Sequence, residues 1–320
     1  MSTMMKVLIA YDGSSCADAA LDDLSSAGLP QEVEARILSV ADVLLPPPSS
    51  SPGFPTHVPP AVQQAWTQAT HALDDAHTLA EQARIRLLQS FPTWEVYAEA
   101  CADSPAWAII KKADAWQPDL IVVGSHGRSA LSRFVLGSVS HKVMTEARCS
   151  VRIGRQRPQT NTGPIRLLIG VDGSPDAAAA VHAVAARAWP VESAVRLVTA
   201  MDPRMYTALA FMSLPGETET ATQDADESVW VAKTVDPMAD LLRTRGLTVS
   251  SVITAGDPKH VLLDEAEQWQ ADGLFVGARG LSRVERFLLG SVSAAVAARA
   301  YCAVEVVRTA GDIHSDTVSV

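Results

Sequence analysis

A chain of 320 residues, 48% hydrophobic and 19% charged, has the composition of a globular protein long enough for two domains, each with its own core. Its formal net charge of -10 argues against nonspecific binding to nucleic acid or to an anionic membrane, since both are held mainly by basic residues. No run of about 18 apolar residues occurs, and MSTMMK leads straight into a strand-like segment without the apolar stretch of a signal peptide, so the expected location is cytoplasmic.

Along the chain, short apolar runs alternate with helical stretches, the pattern of βαβ units and an α/β fold with a parallel sheet covered on both faces. In the first half, strands are expected at Val7–Ala10, Ala35–Val40, Trp94–Ala98, Leu120–Val123 and Val151–Ile153. Helices are expected at about Cys16–Ala27, Val62–Ser90, Pro105–Trp116 and Ser138–Ala147, with Pro105 suited to a first helical turn. Pro46–Pro60 holds seven prolines in fifteen residues, which no strand or helix interior accommodates, so a stiff surface excursion is expected there. Residues 155–164 (RQRPQTNTGP) have linker composition and separate a first domain over 1–154 from a second over 165–309. The second half repeats the order, with strands at Leu167–Val171, Val195–Thr199, Thr248–Thr254, Leu274–Val276 and Val304–Val307. Its helices are expected near Asp176–Ala188, Asp224–Arg245, Pro258–Trp269 and Ser291–Arg299. A long segment at about Asp202–Thr222 answers the proline-rich one. Both follow a second strand at its C-terminal end, where ligands sit in open α/β sheets, so they read either as lids or as loops without a part in binding. Residues 310–320 read as a flexible tail.

The repetition extends to individual residues. GSHGRSALSRFVLGSVS at Gly124–Ser140 reappears as GARGLSRVERFLLGSVS at Gly277–Ser293, shifted by 153 with ten identities. KVLIAYDGS at Lys6–Ser14 is answered by RLLIGVDGS at Arg166–Ser174, shifted by 160. Two independent echoes mean a duplicated domain, with one net insertion in the first copy. Both copies of the longer stretch fit Gly-x2-Gly-x9-Gly-Ser at the end of an apolar strand. Glycines there permit close backbone approach, so amides can turn toward an anion. Gly137-Ser138 and Gly290-Ser291 then open a helix whose free N–H groups and dipole favour phosphate. Asp12-Gly13-Ser14 and Asp172-Gly173-Ser174 end the first strands, where an Asp can accept hydrogen bonds from ligand hydroxyls or amines. Taken alone, that triplet reads first as a helix cap.

On these residues the whole chain resembles a tandem universal stress protein, over about Lys6–Ile153 and Arg166–Arg308. In the ATP-binding members of that family the nucleotide lies against Gly-x2-Gly-x9-Gly-Ser/Thr and the Asp after the first strand, and both halves keep all of these. The resemblance therefore implies two ATP sites, with or without Mg. At the adenosine end it implies Asp12 and Asp172, with the backbones of Val40 and Ala200 facing the adenine. For ribose and phosphates it implies Gly124, Gly127, Gly137, Ser138 and Ser140 in the first half, and Gly277, Gly280, Gly290, Ser291 and Ser293 in the second. It also implies two tandem doubly wound domains, each a five-stranded parallel sheet of order 3-2-1-4-5, with Asp12 and Gly124 flanking one crevice at the topological switch point. Family pairs form through their fifth strands, which Val151–Ile153 and Val304–Val307 can do within one chain, with a homodimer left open.

The function so implied is that of an ATP-binding stress-response protein, a nucleotide-dependent sensor or signalling module working with a protein partner that the sequence does not identify. The alternatives are a slow ATPase of the adenine-nucleotide α-hydrolase-like group and a scaffold that binds no nucleotide. No Gly-x4-Gly-Lys-Ser/Thr, Gly-x-Ser-x-Gly or His-Glu-x-x-His occurs, so no dedicated catalytic residue is expected. Cys16, Cys101, Cys149 and Cys302 have no metal spacing and read as packed thiols. His126 and Arg128 in the first glycine loop are answered by Arg279 and Leu281, so a solvated loop fits at least as well as phosphate contact. Trp116 and Trp269, at equivalent helix ends, read as core.

Overall fold

A computed structural model of the chain describes residues 4–46, 58–127, 136–155, 164–201, 230–280 and 289–309. The first half runs β1 (Met5–Ala10), α1 (Ser15–Asp23), β2 (Val33–Ala41), α2 (Pro60–Ser90), β3 (Glu95–Ala102), α3 (Pro105–Trp116), β4 (Leu120–Gly124), α4 (Ser138–Glu146) and β5 (Ser150–Gly154). The second runs β6 (Arg166–Gly170), α5 (Pro175–Ala185), β7 (Ala194–Met201), α6 (Asp236–Thr244), β8 (Thr248–Ala255), α7 (Pro258–Trp269), β9 (Gly273–Gly277), α8 (Ser291–Arg299) and β10 (Ala303–Val307). The residues expected at Pro46–Pro60 and Asp202–Thr222 as excursions, at 155–164 as linker and at 310–320 as tail lie mostly or wholly outside this description.

Local chemistry explains the boundaries. Ser14 and Ser174 cap α1 and α5, their hydroxyls accepting from the N–H of Ala17 at 3.1 Å and of Ala177 at 3.2 Å. Helices α3 and α7 open on Pro105 and Pro258, whose missing N–H costs nothing in a first turn, and close on Gln117 and Gln270 in the left-handed region. The helix expected over Asp224–Arg245 is described from Trp230 and carries a π-helical turn at Val231–Val235 before α6. Pro237 accounts for it, because a proline has no N–H to give and its ring crowds the carbonyl one turn back.

Among the described residues, ten strands join one sheet of order β3-β2-β1-β4-β5-β10-β9-β6-β7-β8. Each half therefore has the expected order 3-2-1-4-5, and the halves meet through their fifth strands within one chain. Every other pair is parallel, whereas β5 and β10 run antiparallel with Arg152 opposite Glu305. Strands β4, β9 and β10 are buried along their whole length, as strands covered on both faces must be, and this is why β4 and β9 read as continuous apolar runs, while β10 is interrupted only by Glu305.

Arginines after the fifth strands tie each half to the other. Arg155 donates to the carbonyl of Ala297 at 2.5 Å at the C-terminal end of α8, and Arg308 donates to that of Met144 at 2.5 Å near the end of α4. Each guanidinium meets the negative end of the other half's helix dipole. Arg155, expected as the first linker residue, is thus part of the packed body. Among the described residues, no helix is long and apolar enough to cross a membrane.

Candidate functional site

Strand β1 lies between β2 and β4, and their C-terminal ends open a crevice because the chain leaves β1 toward β2 and β4 toward β5. The expected meeting of Asp12 with the glycine loop is present there. A methyl group on Gly127 would stand 3.0 Å from Asp12 Oδ2, and one on Gly280 would stand 2.7 Å from Asp172 Oδ2. The other carboxylate oxygen holds the turn, Asp12 Oδ1 accepting from the Ser14 N–H at 3.0 Å and Asp172 Oδ1 from the Ser174 N–H at 2.9 Å. Capping thus falls to the serine, while the Asp turns one oxygen toward the loop. Gly13 and Gly173 adopt φ of 74° and 81°, which side chains rarely tolerate. Val40 and Ala200 lie half-buried near the ends of β2 and β7, beside Cys101 and Thr254.

The remaining glycines and serines divide by role. A methyl on Gly124 would lie 2.8 Å from the carbonyl of Cys16, and one on Gly277 would lie 2.6 Å from the carbonyl carbon of Asp176. These two glycines therefore let the first turns of α1 and α5 rest on the strand ends. Gly137 and Gly290 are the N-cap residues of α4 and α8, with no side chain capping either helix. The first-turn N–H groups, including those of Ser138 and Ser291, sit at the positive end of the dipole. A side chain on Gly137 would not project outward, because its methyl would stand 3.3 Å from the Cα of His126 and 3.4 Å from the carbonyl oxygen of Ser125. Gly137 and Gly290 instead donate their own N–H to Ser125 at 2.9 Å and Ala278 at 2.8 Å, which folds each glycine loop onto the helix start. The hydroxyls of Ser140 and Ser293 are buried and donate to the carbonyls of Gly124 and Gly277, each at 2.6 Å. These two serines hold the strand end in place.

The halves differ at one point that the sequence reading missed. Arg279, which answers His126 in the repeat, folds back on the first turn of α5. Its Nε donates to Asp176 Oδ2 at 2.9 Å, its Nη2 to Oδ1 at 3.3 Å and its backbone N–H to Oδ2 at 3.1 Å. Asp176 is buried, so this is a fixed pair. The repeat places Cys16 and His126 in the matching positions of the first half. The exchange of both partners together was the available signal. His126 Nδ1 lies 3.1 Å from Ser125 Oγ, and Nε2 is buried without a hydrogen-bond partner among the described residues. Burial, and then the nearby Arg155 charge, hold its pKa below the ordinary histidine value.

Trp116 and Trp269 lie at the opposite end of the sheet, each half-buried against the core and covered by a guanidinium, Arg36 at 4.7 Å and Arg196 at 4.5 Å. They offer the crevice no stacking surface. Among the described residues, no group of three or more His, Cys, Asp or Glu side chains is placed to hold a metal ion.

The model of the universal stress protein family matches residues 4–154 and 165–308. Universal stress protein Rv2623 of Mycobacterium tuberculosis is 30% identical over 258 residues, 78% of this chain and 80% of that protein. Universal stress protein Rv2005c of the same species is 29% identical over 184 residues, a match that covers 56% of this chain and only 58% of that relative's length. Universal stress protein YxiE of Bacillus subtilis is 31% identical over 156 residues, 47% of this chain but 98% of its own, as expected of one half. Among solved structures, a universal stress protein from Archaeoglobus fulgidus DSM 4304 aligns over 95% of this chain and 98% of its own, with a TM-score of 0.58 at 21% identity, a likeness of fold.

Proposed function

The chain belongs to the universal stress protein family, and from that premise we propose that it binds one adenine nucleotide in each half and acts in the stress response through the occupancy of those two sites. The observation that carries this reading is the approach of an Asp carboxylate to the second glycine of each loop, made twice from residues more than a hundred positions apart. An acceptor for sugar hydroxyls or the base then stands beside a loop of small residues and an uncapped helix start, as an adenosine phosphate requires. Asp12 and Asp172 would serve the adenosine end, with the backbones of Val40 and Ala200 facing the adenine. Gly127 and Gly280 would leave room for the ligand, and the amides at Ser138 and Ser291 would receive phosphate. Gly124, Gly137 and Ser140, with Gly277, Gly290 and Ser293, would act through the shape of the loop. ATP, alone or with Mg, is the proposed ligand. The proposed units are 1–154 and 165–309, and the proposed setting is the cytoplasm, which four free thiols suit.

Titration calorimetry with ATP and with GTP tests the proposal. Two ATP sites per chain and much weaker GTP binding are expected. Saturation at no site, or equal affinity for GTP, would remove it.

A further inference from the structure

Under the repeat, Arg152 of the first half corresponds to Glu305 of the second, and the two lie directly opposite each other in the antiparallel β5–β10 pair. The register is symmetric about them, so they mark the pseudo-twofold axis of the molecule. Both are buried, at 1% and 0% exposure. Arg152 donates through Nε and Nη2 to Asp23 at 2.6 and 3.0 Å and through Nη1 to Glu305 at 3.3 Å. Glu305 also accepts from Arg187, whose Nη1 lies at 2.9 Å and reaches the carbonyl of Ala27 in the first half at 3.0 Å. Four charges, two from each half, with Asp23, Arg152 and Glu305 buried and Arg187 partly so, thus close a neutral network across the seam.

A self-pair of first halves in this register would set Arg152 against a second Arg152, and a self-pair of second halves would set Glu305 against Glu305. Like charges directly opposite in a sheet pair repel, and burial removes the water that would screen them.

A steric feature reinforces the charges. The indole of Trp189 covers Gly28, which has φ of 64°, and the Ala188 N–H donates to the Gly28 carbonyl at 3.1 Å. A methyl on Gly28 would come within 2.8 Å of the indole carbons. The repeat puts Ala188 where the first half has Gly28, and Leu29 where the second has Trp189. Two second halves would therefore drive an indole onto an alanine methyl, and two first halves would leave the glycine hollow without its indole.

We propose that the seam is a keyed interaction surface whose partner is the complementary half and which rejects a second copy of either half. The linker keeps the fitting partner at high effective concentration, so the pair closes within one chain. Any assembly with further chains must then use other surfaces. This holds whether or not nucleotide binds.

A protease site introduced within residues 156–163 allows the folded chain to be cut, unfolded in urea and refolded, with the products counted by native mass spectrometry. Mixed pairs are expected in at least about tenfold excess over self-pairs. A statistical mixture, self-pairs, or halves that refold and stay apart would overturn the proposal. Glu305→Arg should abolish the preference. Since that variant can fail to fold for want of its ion pair, the intact chain provides a second measurement, a urea double-mutant cycle of Arg152→Met, Glu305→Met and both together. The double variant should be more stable than the sum of the single losses implies, by at least about tenfold in the unfolding constant. Additive losses would show that the opposed charges do not recognise each other, and the key would be wrong.

Discussion

Replacing Arg279 with alanine removes two of the three hydrogen bonds on the Asp176 carboxylate, those from Nε at 2.9 Å and Nη2 at 3.3 Å, and leaves the backbone N–H at 3.1 Å. Part of the support for the charge survives, because Asp176 lies in the first turn of α5, where the helix dipole favours an anion. A hydrogen bond to a charged group contributes about 1.5–3 kcal/mol. The Arg279 side chain is 20% exposed, so solvent screening places the loss toward the lower end, about 1.5 kcal/mol. At about 2–4 °C per kcal/mol for a unit of this size, the melting temperature should fall by about 3–6 °C. The pair also pins the glycine loop after β9 to α5, so ATP should weaken at the second site by about tenfold and keep its affinity at the first. Scanning calorimetry and ATP titration of Arg279→Ala beside the unaltered chain measure both. Loss at both sites, or at neither, would refute the link between this pair and the second crevice. An unchanged melting temperature would mean that the loop is held by its backbone alone.

Ser140→Ala removes the buried hydroxyl that donates to the Gly124 carbonyl at 2.6 Å, and should cost about 1–2 kcal/mol of stability in urea titration. If stability stays level while ATP affinity falls, Ser140 serves the ligand and its structural role is wrong. His126 has its pKa lowered by burial, so its contribution to stability is complete above the unfolded value of 6.5 and drains away as the pH falls from there through the lower folded value. Its NMR titration midpoint should lie below 6.5 without nucleotide and rise when ATP brings phosphate to the loop, and a midpoint that ATP leaves unmoved would place the phosphates elsewhere.

Element order and type were legible in the sequence because they depend on local facts. Strands such as LIVVG, buried on both faces, read as apolar runs, and Pro105, Pro258, Ser14 and Ser174 announced helix starts by their own covalent chemistry. Duplication was legible too, and with it the crevice between Asp12 and the loop that begins at Gly124, which the family resemblance implied. What remained hidden depends on the direction in which a side chain points and on what a distant segment brings to it. Gly137 and Ser140 sit in the motif as if for a ligand, yet the path of the loop turns the vacant side of one toward the Ser125 and His126 backbone and the hydroxyl of the other onto Gly124. Arg279 has Asp176 as its partner only because α5 rests on the end of β9. An arginine inside VRIG and a glutamate inside AVEVV were visible as charges in otherwise buried strands, at equivalent places in the two copies and of opposite sign. Only the antiparallel register of β5 on β10 sets them face to face, since pairing is decided by backbone hydrogen bonds between segments that no local pattern relates.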